Sequence, residues 1–225
     1  APIGVFALLA GLIVDLAGDD PNNIITTLKP LLFYAITVLI GLSFMVFVFY
    51  PIIMYSFTGI SFKKFLKAIF PAQMLAFSTS SSAATLPLTM KRVEKNLNVS
   101  DEVTSFVCPL GATINMDGTS VHQAISAVFI AQAFGQDLTI ADQLVIVLTA
   151  TLSSIGAAAV PGAGLIMLVI VLGAIGIDPQ GLALIIAIDR PLDMCRTIVN
   201  VTGDATVASV VASTEGEKIK FIEDE

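Results

Sequence analysis

Charged residues are scarce in this sequence: Asp, Glu, Lys and Arg make up 13% of its 225 residues, whereas soluble domains carry about a quarter. No charge occurs from residue 30 to 62 or from 143 to 177, and apolar runs of more than about 18 residues are typical of membrane-spanning helices. Hydrophobic residues make up 56% of the chain, and its mean hydropathy is +0.90. These features exclude an ordinary soluble domain. We predict an all-α, multi-pass protein of the cell membrane, in contact with lipid.

Tryptophan is absent, and only two cysteines and one histidine are present. Both Cys108 and Cys195 lie in apolar stretches, where cysteine behaves as a small hydrophobe, so we expect them to serve packing. His122 follows Asp117 by five residues, about 140° around a helix, so this carboxylate cannot orient the imidazole. An intramembrane serine hydrolase is therefore the less favoured alternative. A net charge of −7 would argue against nucleic acid as a partner in a soluble protein. In a membrane protein the positions of the charges matter more than their sum, and we expect no nucleic-acid partner.

Two apolar stretches are interrupted, and their flanking charges differ in sign. In the first, at about 62–97, lysines and an arginine flank the apolar residues 68–90, whereas the second, at about 138–177, is flanked by aspartates. Because Lys and Arg mark the cytoplasmic side of short loops, these stretches predict re-entrant helical hairpins entered from opposite sides. Non-helical backbone at membrane depth is tolerated where it lines a cavity or is buried in protein. The predicted breaks are the serines at 78–82 and Pro87 in the first hairpin, and 153–156 and 161–164 in the second.

The chain divides into two predicted regions at about residue 60. Because no initiator Met or signal sequence opens the chain, we expect the C-terminal portion of a longer protein. A hairpin followed by a helix, repeated with opposite sidedness, is an inverted repeat typical of secondary transporters. Residues 1–60 are predicted to hold the end of one transmembrane helix and one full helix; 61–225 hold the two hairpins, transmembrane helices at about 101–135 and 179–213, and a cytoplasmic tail.

The last apolar stretch carries a stripe of polar residues. At 100° per residue, Asp189, Asp193, Arg196, Asn200 and Asp204 fall within about 80° of one another, and ionisable side chains inside a membrane are costly and usually functional. Arg196 can bind a carboxylate bidentately, and Asp193, one turn away, can pair with an ammonium group. The stripe predicts a site for a zwitterionic or dicarboxylic solute. A helix that lines water, or an internal ladder of ion pairs, is the alternative.

A second polar cluster, residues 115–118 (NMDG), lies inside the predicted crossing helix. Asn, Asp and Gly are poor interior helix formers, so unwinding is expected here. Freed carbonyls and the Asp117 carboxylate are hard oxygen ligands. A carboxylate at membrane depth needs a cation, and this applies to Asp117 and to Asp204. An oxygen-lined site disfavours transition metals, so we predict sodium; a structural kink is the alternative.

Four motifs together resemble the dicarboxylate/amino acid:cation symporter family, the glutamate and aspartate transporters. The resemblance implies sodium-coupled symport of aspartate or glutamate and no enzymatic activity. It also implies an elevator-type transport domain in a homotrimer whose scaffold precedes Ala1. C4-dicarboxylate:cation symport is the alternative, but Asp193 favours a substrate with an amino group. The motifs are SSSAATLP at 80–87, GATINMDGT at 111–119, SIG at 154–156 with PGAG at 161–164, and DMCRT at 193–197 with NVTGD at 200–204.

The resemblance further implies roles for individual residues. The substrate would lie between the two hairpin tips and the last helix. Its contacts would be Ser81 and Ser82 of the first tip, Val160 and Gly164 of the second, Arg196 and Thr119 for the side-chain carboxylate, Asp193 and Thr197 for the amino group, and Asn200 for the α-carboxylate. The sodium sites would use Gly111, Asn115, Asn200 and Asp204 for one ion; Thr113, Ser154, Ile155 and Ala157 for a second; and Asn115 and Asp117, with Met116 between them, for a third.

Small residues also predict which tip moves. Gly156 and three alanines precede the PGAG turn of the second tip, and small residues let backbone pack closely against helices. Gly and Pro permit turns that larger residues resist. We predict that the second tip is a lid that becomes ordered when substrate and sodium bind. A rigid hairpin whose glycines serve packing is the alternative.

Overall fold

The computed structural model describes the backbone of residues 22–223 and the side chains of residues 28–223, and the regular elements in this part are all helical. The predicted end of an earlier span, before residue 17, lies outside the described residues. The helices are α1 (Asn22–Phe44), a π-helical turn (Met45–Phe49), α2 (Tyr50–Thr58), α3 (Phe62–Thr79), α4 (Ser82–Leu97), α5 (Asp101–Ile114), α6 (Asp117–Ala133), α7 (Ile140–Ile155), α8 (Ala163–Ala174), a 3-10 turn (Pro179–Leu184) and α9 (Ile186–Thr214).

The first helices form one apolar rod, Leu28–Thr58, which is long enough to cross a membrane. Besides Leu31 and Pro51, its buried residues recur every fourth position, at 34, 38, 42, 46, 50 and 54. In a regular α-helix, that spacing drifts by about 40° per step. The wider π-helical turn at Met45–Phe49 takes back part of the drift, because it holds more residues per turn. Tyr50 and Met54 therefore stay on the buried face.

Helices α3 and α4 pack against each other across a two-residue break. Ser80 adopts a left-handed conformation with φ 53°, and the Ser81 hydroxyl caps α4 by accepting from Ala84 N at 3.1 Å. The prediction that Pro87 also interrupts this segment is wrong, since α4 runs through Pro87 to Leu97. Packing of α4 on α3, α5 and α9 outweighs the hydrogen bond that the proline removes.

Helices α7 and α8 form the second pair, and α7 begins at a capping box. The Thr139 hydroxyl accepts from Asp142 N, while Thr139 N and Oγ1 donate to the Asp142 carboxylate. Hydrogen bonds from the Thr139 hydroxyl and then from its main-chain N–H lower the pKa of Asp142. The predicted break at 153–156 is only partly right, because α7 continues through Ile155. A single interruption spans 156–162, and Gly162 has φ 79°.

Helices α5 and α6 are separated by Asn115 and Met116 alone, so Asp117 and Gly118 begin a helix rather than lying in the unwound segment. The last segment also differs from one continuous helix at 179–213: a 3-10 turn precedes α9, which runs over 29 residues. Helix α9 packs against every helix from α1 to α6. Most of its polar residues are buried by these neighbours, so the other elements are arranged around its stripe. The cysteines are free thiols, with Cys108 buried and Cys195 half-buried.

Candidate functional site

The three helix interruptions meet at the middle of α9. The two tips touch each other: Ser81 Oγ donates to the Ala159 carbonyl at 2.8 Å, and Ala83 N donates to the same oxygen at 3.3 Å. The start of α6 is attached to α9, because Gly118 N donates to Asn200 Oδ1 at 2.9 Å. Broken helices thus present main-chain groups and short polar side chains to the stripe on α9.

A cavity of about 20 Å³ lies at this meeting point. All of the predicted substrate residues except Ser81 line it, and Ser81 lies beside it at the contact between the tips. This volume suits a water molecule rather than an amino acid. The tips are therefore closed over the cavity in this conformation. The lining residues are Ser80, Ser82, Met116, Thr119, Ala157, Ala158, Ala159, Val160, Gly164, Asp193, Arg196, Thr197 and Asn200.

The two charges in the cavity wall neutralise each other. Arg196 is 2% exposed, and its Nη2 lies 2.5 Å from Asp193 Oδ1. The other Asp193 oxygen accepts from Gly162 N at 3.0 Å and lies 3.5 Å from Arg190 Nη1. A solute with a carboxylate and an ammonium group could replace this pair charge for charge, with the carboxylate on Arg196 and the ammonium on Asp193.

On the side away from the cavity, Arg196 contacts His122, which in turn contacts Tyr34. Neither residue was predicted as part of the site. His122 is fully buried, with Nδ1 2.9 Å from Arg196 Nη1. Its Nε2 lies 3.1 Å from Tyr34 Oη and 3.3 Å from Asp189 Oδ1. Tyr34 lies in the apolar rod, where its hydroxyl is the only signal that it bonds to a polar partner.

Glycines allow the backbone to approach the polar side chains of α9. A Cβ on Gly164 would lie 2.8 Å from Arg196 Nη1, and a Cβ on Gly118 would lie 2.5 Å from the Arg196 carbonyl. A Cβ on Gly111 would lie 2.6 Å from Asp204 Oδ1. Alanine at any of these positions would displace a group of the site.

A second polar centre surrounds Asp204, which is 2% exposed. Its Oδ1 accepts from Asn115 Nδ2 at 3.0 Å, and the same amide lies 3.4 Å from the Asn200 carbonyl. Among the ion pairs that the described residues form, none includes Asp204 or Asp117. A buried carboxylate without a cationic partner is costly, so this centre, with Gly111 against the carboxylate, suits a hard cation.

Tyr50 joins Asp117 to this centre. Its hydroxyl donates to Asp117 Oδ2 at 2.7 Å, and Gly203 of α9 packs against both Tyr50 and Asn115. Tyr50 cannot be recognised from the sequence as a residue of this centre, because nothing in its apolar surroundings distinguishes it from a packing residue. Its position follows from the π-helical turn that directly precedes it.

The residues predicted for the second sodium are brought together only in part. Ser154 bonds to Ser120 through their hydroxyls at 2.6 Å, and its carbonyl accepts from Ala157 N at 3.0 Å. The side chains of Thr113 and Ile155 are exposed. Ile155 could serve an ion only through its main-chain carbonyl, and the Thr113 hydroxyl donates to the Leu110 carbonyl at 2.9 Å. In the part of the chain that the structure describes, no three His, Cys, Asp or Glu side chains converge as a metal site.

Comparison with known proteins supports the resemblance of the four motifs. Residues 1–214 match the sodium:dicarboxylate symporter family. Similar curated proteins include an excitatory amino acid transporter of Caenorhabditis elegans, 42% identical over 211 residues, excitatory amino acid transporter 5 of Homo sapiens, 41% identical, and excitatory amino acid transporter 1 of Ambystoma tigrinum, 43% identical. The matches cover 94% of this chain and 41%, 37% and 38% of these relatives, so the chain spans about two fifths of their length. The chain belongs to the sodium:dicarboxylate symporter family.

Proposed function

We propose that the protein carries an acidic amino acid, aspartate or glutamate, across the cell membrane together with sodium. The observation that supports this most directly is the buried pair of Arg196 and Asp193 in the wall of a closed cavity. The positive charge of Arg196 is complementary to a carboxylate of the substrate, and the negative charge of Asp193 is complementary to its amino group. The relatives, which are named excitatory amino acid transporters, support a transport role over an enzymatic one.

Substrate would exchange one ion pair for two. Its side-chain carboxylate would bind Arg196 near Thr119, and its amino group would bind Asp193 near Thr197. The α-carboxylate would lie near Asn200 and the Ser82 end of α4, where main-chain N–H groups of the helix start favour an anion. Val160 and Gly164 would close the second tip over it.

The cavity must enlarge before an amino acid can enter, which supports the second tip as a lid. The contacts that close it are few: Gly162 N to Asp193, and the bonds of Ser81 and Ala83 to the Ala159 carbonyl. A substrate that binds Asp193 would also compete with Gly162 N for this carboxylate. Residues 156–162 would open at low energetic cost, because no helix has to be broken.

Movement of the tip can be measured with a thiol probe at Ala158 in the full-length protein. We expect fast labelling without ligands and at least about tenfold protection with aspartate and sodium together. A thiol at Asp137, which is exposed in the loop between α6 and α7, is the control and should label alike in both states. Equal protection at Ala158 in both states would contradict the lid and favour the first tip at Ser81 and Ser82.

Sodium would bind at the centre formed by Asp204, Asn115, Gly111 and Asn200, and a further ion would use Asp117. The same α9 segment carries Asn200 for the substrate and Asp204 for the ion. Because ions and substrate would order the same interrupted segments, each should raise the affinity for the other. Thr113, Ser154, Ile155 and Ala157 would contribute carbonyls to another sodium near the second tip.

The membrane arrangement is also part of the proposal. Helix pairs α3–α4 and α7–α8 would be re-entrant hairpins of an elevator-type transport domain, with the C-terminus in the cytoplasm. Exposed apolar side chains on α7, among them Leu144, Leu148 and Leu152, fit a surface in contact with lipid or with the rest of the protein. Assembly as a homotrimer belongs to the same proposal.

C4-dicarboxylate symport is the second candidate, because the family is named for dicarboxylates. A dicarboxylate has no ammonium group to pair with Asp193, which would remain a buried anion beside the substrate. A serine hydrolase has less support: Ser81 Oγ donates to a carbonyl, and His122 accepts from an arginine rather than from a serine of the tips.

The test is uptake by the full-length protein in vesicles. We expect sodium-dependent uptake of aspartate or glutamate that succinate does not inhibit. Asp193→Asn should lose the preference for the amino acid while keeping the volume of the side chain. Uptake of succinate by the parent, with Asp193→Asn unchanged, would favour the second candidate. Aspartate uptake that does not respond to sodium would overturn the coupling.

A further inference from the structure

We propose that His122 is a positioning residue for Arg196 and that protonation of His122 releases the arginine, which weakens binding of an acidic substrate. This inference rests on the proposed function, because Arg196 is the group expected to bind the substrate carboxylate. His122 lines no part of the cavity itself. It acts only through the guanidinium.

The hydrogen bonds assign the protons of the imidazole. An arginine nitrogen only donates, so Nδ1 of His122, 2.9 Å from Arg196 Nη1, must be the acceptor. Ser126 Oγ donates its proton to the His122 carbonyl at 2.7 Å. At its 2.8 Å contact with Tyr34 Oη, Ser126 Oγ is therefore the acceptor and the tyrosine hydroxyl is the donor. Tyr34 Oη then has a lone pair free for Nε2–H at 3.1 Å. The network is satisfied only by the neutral imidazole with its proton on Nε2.

A second proton on Nδ1 would break this arrangement. It would remove the acceptor of Arg196 and place two cations side by side with no solvent between them, since His122 is 0% exposed and Arg196 is 2% exposed. Asp189 Oδ1 is a buried oxygen without a hydrogen-bond partner in the described structure. It lies 3.3 Å from His122 Nε2 and 3.9 Å from Arg196 Nη1, so it offers the displaced guanidinium a second acceptor.

Charges on the surrounding helices favour a switch between these two acceptors. The imidazole faces three charged residues of α9, Asp189, Asp193 and Arg196, and the hydroxyl of Tyr34 of α1. Helices α7 and α8 bond to the next residue of α6, Gln123, which donates to the Gly164 carbonyl and accepts from Ser153. The only cation among these groups is Arg196. Protonation therefore acts on the arginine first, while the two aspartates compensate the added charge.

The guanidinium has little freedom to adapt in place. Gly164 leaves a gap that even one Cβ would close, since that atom would lie 2.8 Å from Nη1 and 3.0 Å from Thr119 Cγ2. Arg196 lines the cavity, whereas Asp189 does not. A shift of the guanidinium toward Asp189 would therefore move it away from the proposed position of the substrate carboxylate. The expected sign is loss of affinity as the pH falls, with the maximal transport rate less affected.

The experiment measures aspartate affinity and maximal uptake rate of the full-length protein in vesicles between pH 5.5 and 8. His122→Gln keeps an acceptor oxygen for Arg196 but does not titrate, so it should bind within about threefold of the parent at pH 8 and show a flat profile below. His122→Phe keeps a ring but removes the acceptor, and should weaken affinity about tenfold or more at every pH, since a hydrogen bond to a charged group is lost. Tyr55→Phe, an exposed tyrosine on α2, is the control.

A parent-like pH profile in His122→Gln, or parent-like affinity in His122→Phe, would overturn the inference. Elution of each variant as the parent oligomer separates a binding defect from misfolding, and if His122→Phe does not fold, the profile of His122→Gln decides alone. If the parent takes up no acidic amino acid at all, the proposed function fails instead. The two failures are therefore distinguishable.

Discussion

The cavity around Arg196 and the centre around Asp204 are both buried on α9, but their charge balance differs. In the cavity, Arg196 and Asp193 form an ion pair at 2.5 Å. At the other centre, Asp204 has an amide from Asn115 and no cation among the described ion pairs. A paired site can exchange its internal partner for a zwitterion at little net electrostatic cost. A buried carboxylate without a cationic partner is costly unless it binds an external cation or a proton. The two centres, eight residues apart, thus suit different ligands.

Removal of the cation from the paired centre should have the largest effect. Arg196→Cys would leave Asp193 with Arg190, at 3.5 Å, as its cationic neighbour and would remove the proposed partner of the substrate carboxylate. We expect acidic amino acid binding to fall by about 100-fold or more, while neutral amino acids gain access. Equilibrium binding of aspartate and of serine to the purified full-length protein measures both. Unchanged aspartate affinity would show that the carboxylate binds elsewhere.

Removal of the anion from the unpaired centre should have the next largest effect, and on the ion first. Asp204→Asn keeps the shape but not the charge, so the sodium concentration for half-maximal aspartate binding should rise about tenfold. Sodium titrations of aspartate binding measure it. Asp142→Asn, far along the chain at an exposed capping box, is the control and should titrate as the parent. Superimposed curves for Asp204→Asn and the parent would refute the assignment.

A steric change tests whether the Asp204 centre depends on close backbone approach. Gly111→Ala would bring a Cβ to 2.6 Å from Asp204 Oδ1, so we expect a loss of about 1–3 kcal/mol in stability and a weaker sodium response. Gly173→Ala is the matched control, because a Cβ there meets nothing within 4 Å and alanine is the better helix former. Thermal unfolding in detergent compares the two. Equal midpoints would show that the carboxylate moves aside freely.

The smallest effect is expected outside both centres, at the capping box of α7. The pKa of Asp142 is lowered by the Thr139 hydroxyl and main-chain N–H, so its ionised form stabilises the folded state. This contribution is present above the unfolded carboxyl pKa of about 4 and is lost as the pH falls through the lower folded value. Asp142→Asn should lower the melting temperature slightly at pH 7. The difference should vanish at low pH; a constant difference would contradict an ionic contribution.

The polar stripe on the last helix can be recognised from the sequence, whereas the residues that support it cannot. Asp193, Arg196 and Asn200 are polar residues in an apolar stretch, and helical periodicity alone places them on one face. Tyr34 and Tyr50 lie in a rod whose apolar residues would suit lipid as well as protein. Their hydroxyls acquire partners only when α1 and α2 pack against α6 and α9.

The helix breaks also depend partly on local sequence and partly on tertiary packing. Asn98, Ser80 and Gly162 end or join helices with positive φ values, which short polar residues and glycine tolerate. Pro87 was expected to break its helix and does not, because its neighbours hold α4 in place. Local propensity thus identified the tips, whereas tertiary packing decided where each helix stops.

The amino-acid sequence by itself determined that this chain is an apolar helical protein, that its family is the sodium:dicarboxylate symporter family, and that its charges gather on one face of the last helix. These properties follow from composition, periodicity and local motifs. Only the tertiary structure decided which charges are paired, how closely the tips meet and that His122 accepts from Arg196. The contact between the tips and the contact of His122 with Arg196 join residues 78 and 74 positions apart, and no local pattern records a distance between segments that meet only when the chain is packed.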